Sequence, residues 1–304
     1  MTHSPTAPRR AAFDVPEHDA GGPEAPDDLA VGVSRETPAL PQPGSPRIMV
    51  VANQKGGVGK TTTAVNIAAG LAQGGLKVMV IDIDPQGNAS TALGVEHSEG
   101  TVGTYEVLVD QHPLIDALAR CPDLPGVWVL PATIDLAGAE IGLVATVSRE
   151  TRLKTALDGF FDDYYVDYVI IDCPPSLGLL TLNALVAAHE IMIPIQCEYY
   201  ALEGVTQLLK TINLVKGRLN DTLVLSTVLL TMYDGRTNLS AQVADEVRKH
   251  FERETLKTVI PRSVRVAEAP SYGQTVVTYQ LNSVGAQAYV FAAQEIAERG
   301  ATGF

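Results

Sequence analysis

The chain has 304 residues, of which 46% are hydrophobic, and a formal net charge of −13. This length and apolar content suffice for one large α/β core, and no apolar run reaches the ~18 residues that a membrane span needs. The acidic balance argues against indiscriminate binding of nucleic acid over the whole surface. Because Cys121, Cys173 and Cys197 lack metal-ligand spacing, we expect them to be reduced core thiols.

Residues 1–46 differ in composition from the rest of the chain. They hold 9 of the 19 prolines, few large apolar residues, and an excess of acidic over basic side chains. Such a segment cannot bury enough surface to offset its ordering entropy. We therefore predict a disordered Pro-rich acidic tail over 1–46 and one folded domain over 47–304. A regulatory or docking role for the tail and an inert extension both stay open.

Beyond the tail, short apolar runs alternate with longer amphipathic segments. This alternation predicts an α/β domain with a mostly parallel twisted sheet and helices on both faces. In such a sheet the ligand-binding loops cluster at the carboxyl ends of the strands. The predicted strands are 47–53, 77–83, 127–131, 166–172, 189–195, 222–231 and 256–260, and the predicted helices are 60–74, 134–147, 151–161, 178–188, 201–217, 238–251 and 284–299.

The first predicted strand leads into a glycine-rich loop, K-G-G-V-G-K-T-T over residues 55–62. Its glycines allow a tight curl whose N–H groups point inward, and the following helix adds the positive end of its dipole. Lys60 can reach the β and γ phosphates, and the Thr61 hydroxyl can bind Mg²⁺. We therefore predict a nucleoside triphosphate site formed by Lys55, Gly56, Gly57, Val58, Gly59, Lys60, Thr61 and Thr62.

The loop departs from the common pattern G-x-x-x-x-G-K-[ST]. That pattern needs glycine at position 54, where this chain has Gln54, and an additional lysine, Lys55, begins the loop. A lysine here can be directed at phosphates of its own site or of a second subunit. The alternative is a glycine-rich turn that carries two lysines by chance.

Two aspartates follow apolar strands near the predicted loop. Asp84 and Asp172 can each hold Mg²⁺, directly or through water, or position the attacking water. Asp82 lies on the opposite face of its strand, so we interpret it as structural. The Pro174–Pro175 pair stiffens the loop after Asp172, which can then switch as a unit when the γ-phosphate leaves.

These motifs together resemble those of the deviant Walker A ATPases, the group that contains the ParA/Soj partition proteins, MinD and the nitrogenase iron protein. The resemblance runs from about residue 47 to about residue 299. Two of the stretches are similar to chromosomal ParA/Soj proteins in particular, Q-C-E-Y-Y-A-L-E-G and V-I-P-R-S-V-R. The stretches are residues 55–62, 80–88, 169–176, 196–204 and 259–265.

The resemblance implies a P-loop NTPase fold, ATP and Mg²⁺ as cofactors, and slow basal ATP hydrolysis. It assigns the nucleophilic water to Asp84, the magnesium shell to Asp172 with Thr61 and Asp84, and a nucleotide contact to Pro261. Lys55 would reach into the partner's site, so that Lys55, Lys60 and Asp84 act in catalysis within an ATP-bound homodimer. The implied accelerator is a ParB-type partner protein with a basic arm.

A DNA-binding face is the last element that the sequence suggests. Residues 210–265 hold ten Lys or Arg against six Asp or Glu, within a strongly acidic chain. Arg236 lies in a turn and Arg265 follows a strand, and the resemblance matches both to arginines that hold double-stranded DNA without sequence preference. The alternative is that both form surface salt bridges with nearby acids.

Three other functions compete with this interpretation. A MinD-like membrane ATPase should end in a basic amphipathic helix, whereas residues 294–304 carry two acids, one arginine and two glycines. An iron protein needs cluster cysteines, and Cys173 has no second cysteine nearby. A nucleotide-gated scaffold for a cargo other than DNA keeps almost the same core. We expect a cytoplasmic, nucleoid-associated protein, of chromosomal or small-plasmid type because no helix-turn-helix segment precedes the loop.

Overall fold

The computed structural model describes residues 39–144, 146–199 and 201–302, which form an eight-stranded sheet. The strand order is β3-β4-β2-β5-β1-β6-β7-β8, and every pairing is parallel except β3 with β4. The strands are β1 Arg47–Val51, β2 Val78–Asp82, β3 Ala119–Arg120, β4 Val127–Leu130, β5 Tyr168–Asp172, β6 Glu190–Gln196, β7 Val224–Tyr233 and β8 Thr255–Pro261.

Helices cover both faces of this sheet and divide the core into two clusters, one packed around α1 and α11 and the other around α5, α6 and α7. No described helix is both long and apolar enough to cross a bilayer. The helices are α1 Lys60–Gln73, α2 Asn88–Ala92, α3 Thr104–Leu108, α4 Ala139–Val144, α5 Arg152–Asp163, α6 Leu179–Ala187, α7 Glu203–Arg218, α8 Asn238–His250, α9 Val264–Glu268, α10 Val276–Tyr279 and α11 Val284–Thr302, with 3₁₀ turns at Leu114–Ala117, Ile134–Gly138 and Ala269–Tyr272.

The central strands are apolar along their whole length because both of their faces are covered. All five residues of β1, β2 and β5 are buried. Parallel register brings Val51 opposite Asp172 and Asp82 opposite Asp172. The ends of β1, β2 and β5 therefore meet at the carboxyl edge of the sheet, with Asp82 and Asp172 side by side, where an α/β fold binds its ligands.

An ion-paired arginine joins distant parts of the chain at the opposite edge. The Arg47 guanidinium donates to both oxygens of Glu190 at 2.6 Å, to the Tyr168 hydroxyl at 2.9 Å and to the Ile296 carbonyl at 2.8 Å. Burial makes such a pair costly unless every donor finds an acceptor, and here the geometry supplies them. The contact ties β1, β5 and β6 to α11.

The predicted fold class is confirmed, and most boundaries agree within a few residues. The helix predicted over 134–147 is wrong as a single element, because a 3₁₀ turn ending at Gly138 precedes α4. Glycine is a poor helix former at such a junction. The sequence analysis also missed β3, α2, α3, α9 and α10, whose two to five residues are too short to show periodicity.

The predicted tail falls mostly outside the described residues, which begin at residue 39. Within the described part, the Leu40 amide donates to the Gly74 carbonyl at 2.9 Å, and the Leu40 side chain packs on the α1 side of the core. A side chain at position 74 would collide with Leu40, so this contact needs glycine there. Leu40 therefore packs against the domain, although the predicted domain began only at Arg47.

Candidate functional site

The glycine-rich loop connects β1 to α1 and is fixed by hydrogen bonds from three directions. Asn53 Nδ2 donates to the Pro194 carbonyl at 2.9 Å, and the Lys55 amide donates to Asn53 Oδ1 at 3.0 Å. On the other side, Thr231 Oγ1 donates to the Val58 carbonyl at 2.9 Å. These bonds tie the loop to the ends of β6 and β7, so its curvature is set before any ligand binds.

Two glycines in the loop adopt backbone angles that other residues avoid. Gly57 has φ of +73° and Gly59 has φ of +87°, and a Cβ on either would meet no atom within 4 Å. The glycines are therefore required by backbone conformation rather than by crowding. The left-handed turn at Gly59 starts α1 directly, which directs the first amides of the helix into the loop.

A cavity of about 430 Å³ opens in front of this loop. It brings together Gly56, Gly57, Gly59, Lys60, Thr61, Thr62 and Asp84 among the predicted site residues. Val58 is buried beneath the loop, and Lys55 is not part of the lining. The remaining lining residues, which the sequence analysis did not single out, are Val65, Asn88, Thr91, Ala92, Pro175, Met232 and Pro270.

Lys60 is held inside this site. Its side chain is largely buried, and its ammonium donates to the Lys55 carbonyl at 3.3 Å. Burial lowers the pKa of Lys60 from its usual value, and the attraction of Asp172 opposes that shift. A lysine with one backbone acceptor keeps donors available for phosphate oxygens, as the predicted role requires.

Asp172, at the end of β5, is the most unusual group in the site. It is completely buried, and among the described residues neither carboxylate oxygen has a hydrogen bond of good geometry, although the Thr61 hydroxyl lies close by. Burial raises the pKa of Asp172 well above its usual value and repulsion from Asp82 raises it further, while the Thr61 hydroxyl opposes the shift. Because an unpartnered buried carboxylate is costly, its retention indicates a ligand that satisfies it.

Asp82 has the structural role that the sequence analysis predicted. Its carboxylate accepts from the Ser90 amide at 2.9 Å, the Ser90 hydroxyl at 2.8 Å and the Asp84 amide at 3.1 Å. Burial raises the pKa of Asp82 to about 6, against the effect of these hydrogen bonds. Asp82 therefore fixes the start of α2 and the backbone of Asp84, rather than facing the cavity.

Asp84 differs from Asp82 in facing the cavity. Its Oδ1 accepts from the Gln86 amide at 3.1 Å, whereas Oδ2 accepts no hydrogen bond from any residue that the structure describes. A carboxylate with free acceptor capacity at the cavity wall can orient a water molecule or contribute to a metal shell. Both roles that the sequence left open for Asp84 are compatible with this position.

The donor set suits Mg²⁺ together with a triphosphate. Mg²⁺ prefers a few protein oxygens and completes its octahedral shell with phosphate oxygens and water. The Thr61 hydroxyl, Asp84 and the unpartnered Asp172 supply oxygens of this kind beside the loop. Among the described residues, no three His, Cys, Asp or Glu side chains are grouped to hold a metal alone, so most ligands would come from phosphate and water.

A second cavity, of about 220 Å³, adjoins the first and shares Gly59, Thr62 and Met232 with it. Pro261 lies in its wall, as do Ile260 and Tyr289. This mostly apolar space next to a phosphate loop is suited to a base. Met232 has φ of +51°, a strained angle for a side-chain-bearing residue, and strain of this kind concentrates at functional sites.

Lys55 lies outside the first cavity and contacts Glu198 instead. Its ammonium lies 3.9 Å from Glu198 Oε2, and a third of its side chain is exposed. Glu198 also accepts from Arg262 at 3.3 Å and from Gln196 at 2.5 Å. A half-exposed pair at this distance is weak, so Lys55 is free to move to a phosphate.

The two predicted DNA-binding arginines lie outside both cavities, Arg236 in the turn after β7 and Arg265 in the short helix α9 after β8. Arg236 is exposed and donates to both carboxylate oxygens of Asp234, at 2.9 and 2.8 Å. Arg265 donates to Glu268 at 2.8 Å. The hydrogen bonds from Arg236 lower the pKa of Asp234 to about 2. The surface salt bridges weighed as the alternative are therefore present, although exposed pairs of this kind contribute little to stability.

Comparison with known proteins agrees with this geometry. A family model, AAA_31, described as an AAA domain, matches residues 46–225. The sporulation initiation inhibitor protein Soj of Bacillus subtilis is 53% identical over 254 residues, which is 84% of this chain and 99% of Soj. The chromosome partitioning protein ParA of Caulobacter vibrioides is 49% identical, in a match that covers 83% of this chain and 94% of ParA. The resemblance drawn from the motifs is thereby confirmed.

Solved structures of other proteins share the fold of this chain. The cobyrinic acid a,c-diamide synthase of Mycobacterium smegmatis with bound ADP and magnesium is 42% identical, with a TM-score of 0.70. That match covers 81% of this chain and 92% of the synthase. The septum site-determining protein MinD of Pyrococcus horikoshii with Mg-ADP is 26% identical, with a TM-score of 0.65, over 83% of this chain and 96% of MinD.

Proposed function

This chain belongs to the AAA_31 family and to the Soj and ParA group of chromosome partitioning proteins, and we propose that it is an ATP-switched dimer that moves DNA. As a ParA-like segregation ATPase it would bind ATP with Mg²⁺ and hydrolyse it slowly on its own. A ParB-type partner would accelerate hydrolysis, and the ATP-bound dimer would hold double-stranded DNA without sequence preference. The protein would then be cytoplasmic and associated with the nucleoid.

The observation that carries this proposal is the buried Asp172 carboxylate, which has no well-formed hydrogen bond among the described residues and lies near Lys60 and Thr61 of a preformed phosphate loop. Bound Mg²⁺ would neutralise phosphate charge, while the loop amides and Lys60 hold the triphosphate in place. Asp84 would orient the attacking water from the cavity wall. Positioning and charge stabilisation supply most of the catalysis in such sites, so a lone subunit without Lys55 in place is expected to be slow.

Lys55 would make dimerisation depend on ATP. In the single chain it rests against Glu198, outside the cavity of its own subunit. When two carboxyl edges face each other, the same lysine would reach the partner's phosphates and exchange a weak exposed pair for a charge-assisted contact. ATP would stabilise the dimer because it offers a γ-phosphate that ADP lacks.

DNA binding would use the basic region of the carboxyl half. Residues 210–265 carry an excess of basic residues, and Arg236 and Arg265 are exposed after the neighbouring strands β7 and β8. Their present partners, Asp234 and Glu268, are weak competitors because both pairs are open to water. A DNA phosphate could therefore displace them, and a dimer would present the arginine pair twice.

A gel-shift series with the full chain, ATP and duplexes of unrelated sequence tests this proposal. The wild-type protein should bind all duplexes alike, with an affinity that falls steeply as salt is raised. Arg236→Ala with Arg265→Ala should weaken binding to every sequence and reduce the salt dependence, while ATP binding stays intact. Lys154→Ala is the matched control, since Lys154 is also exposed and ion-paired but lies on an acidic helix.

The second candidate is a nucleotide-gated scaffold for a cargo other than DNA. The observation that favours it is that both arginines are already paired with nearby acids, Arg236 with Asp234 and Arg265 with Glu268. If the ATP-bound protein fails to bind any duplex at low salt, or if the double arginine variant binds as well as the wild type, the DNA assignment is lost and the scaffold is retained.

A further inference from the structure

The short helix α9 separates the two nucleotide cavities from the surface that carries Arg265. On its inner side, Val266 and Ala267 lie in the wall of the second cavity, the one suited to a base. Directly after α9, Pro270 lies in the wall of the first cavity. On its outer side, Arg265 is exposed and pairs with Glu268. A single turn of helix therefore borders the space for the nucleotide on one side and presents the arginine on the other.

This helix has little support of its own. None of its five residues, all of which the structure describes, is buried. A helix of one turn is unstable without packing, because fixing its backbone costs more than its few hydrogen bonds return. The turn is closed by the Ala269 amide, which donates to the Arg265 carbonyl. The position of α9 therefore depends on what lies against its inner side.

The chain on either side of α9 is fixed more firmly. Before the helix, the Arg262 amide donates to the Tyr233 carbonyl at the end of β7, at 3.0 Å. After the helix, Ala269 is completely buried, and its carbonyl accepts from the Gln274 amide at 3.3 Å. The turn between these two anchors is therefore the part of the segment that a ligand can hold in place.

Val266 is the side chain through which a ligand would act. It is partly buried, and it packs on the side of the core that α1 and α11 form. Gly285 of α11 makes room for it, because a side chain at position 285 would collide with Val266. A base in the second cavity would cover the remaining side of Val266 and add apolar contact to α9.

We propose that α9 couples occupancy of the base cavity to DNA binding, with Val266 as the positioning residue. The base buries Val266, the buried side chain holds the turn, and the turn fixes Arg265 where it meets a DNA phosphate. This signal is separate from that of Lys55, which needs the γ-phosphate and a second subunit, because the base is common to ATP and ADP. The DNA step rests on the proposed function, whereas the coupling of nucleotide to α9 does not.

Hydrogen exchange at the Ala269 amide tests the first step without DNA. The full-length protein is measured without nucleotide, with saturating ADP and Mg²⁺, and with a saturating non-hydrolysable ATP analogue and Mg²⁺. Both nucleotides should slow exchange about fivefold, and to a similar extent, because protection follows the stability of the turn. No slowing by ADP in the wild type overturns the coupling.

Two matched variants identify Val266 as the origin of the effect. Val266→Ala shortens the side chain that borders the base cavity. Val264→Ala makes the same change in the same helix, but Val264 is 72% exposed and is not among the described residues that line either cavity. Both variants exchange valine for alanine, so they alter the helix propensity of α9 alike.

The quantity compared is the slowing that nucleotide causes, because the contact of Val266 with α11 is present with and without nucleotide and cancels. Val266→Ala should lose most of this slowing, and Val264→Ala should keep it within about twofold of the wild type. Equal slowing in the two variants overturns the role of Val266.

Duplex affinity at saturating ATP analogue measures the second step. Val266→Ala should bind DNA about threefold more weakly than the wild type and Val264→Ala. Its salt dependence should be unchanged, because no phosphate contact is removed, whereas Arg265→Ala should reduce that dependence. If Val266→Ala loses the slowing but binds DNA as the wild type does, α9 does not control Arg265. If nucleotide slows exchange through Val266 but the wild type binds no duplex, the proposed function is contradicted and the coupling to α9 is kept.

Discussion

Replacing Asp172 by asparagine should stabilise the protein in the absence of nucleotide while removing its response to Mg²⁺. Both carboxylate oxygens of Asp172 are buried, neither has a well-formed hydrogen bond within the part of the chain that the structure describes, and Asp82 repels the charged form. An unsatisfied buried polar group costs ~1–3 kcal/mol, and more when it is charged. The amide also lacks partners and keeps part of this cost, so we expect a net gain of about 1–2 kcal/mol in the free energy of unfolding.

The pH dependence distinguishes this cause from a general change in packing. Because the folded state raises the pKa of Asp172, the stability that protonation gives is fully present at acid pH and is lost as pH rises through the raised value. Asparagine does not titrate. The advantage of Asp172→Asn should therefore be small near the usual pKa of an aspartate, about 4, and grow towards neutral pH.

Thermal and urea unfolding at a series of pH values measure this effect. For a domain of this size, about 1 kcal/mol corresponds to a change of about 2–4 °C in Tm. ATP with Mg²⁺ should raise the Tm of the wild type much more than that of the variant. Asp167→Asn is the control, because Asp167 is equally buried but accepts from the Lys77 amide at 2.7 Å and from Tyr165 at 3.2 Å, so the variant should lose stability.

Two results would refute this reasoning. One is an Asp172→Asn protein that is less stable than the wild type at neutral pH without nucleotide. The other is a stability difference that does not change with pH, which would mean that the carboxylate charge is not the source of the cost.

Lys60→Ala should abolish ATP binding, measured by calorimetry, because it removes the buried phosphate partner; nucleotide affinity within a few-fold of the wild type would contradict this. Asp84→Ala should keep ATP binding but trap an ATP-bound dimer in size-exclusion chromatography, since only the group that positions water is lost, and wild-type turnover would show the assignment to be wrong. Lys55→Ala should bind ATP as a monomer, because Lys55 lies outside the cavity of its own subunit; an ATP-dependent dimer of this variant would exclude the proposed contact.

The fold class and the phosphate loop could be predicted from local sequence patterns alone. Strands buried on both faces are continuous apolar runs, and a glycine-rich stretch between a strand and a helix needs no distant contact to be recognised. The same locality explains what the sequence missed. The 3₁₀ turn before α4 and the short helices α9 and α10 have too few residues for any period to appear.

Only the tertiary structure decided which of these residues meet. Strand β1 lies between β5 and β6, which are distant in sequence, and this order brings Asp172 beside Lys60. The same order joins Met232 and Pro261 into one cavity. No local pattern encodes such pairings, because they depend on the packing of the whole sheet. The unpartnered state of Asp172 and the ion pairs of Arg236 and Arg265 are likewise properties of the folded chain, set by which side chains its packing brings within reach.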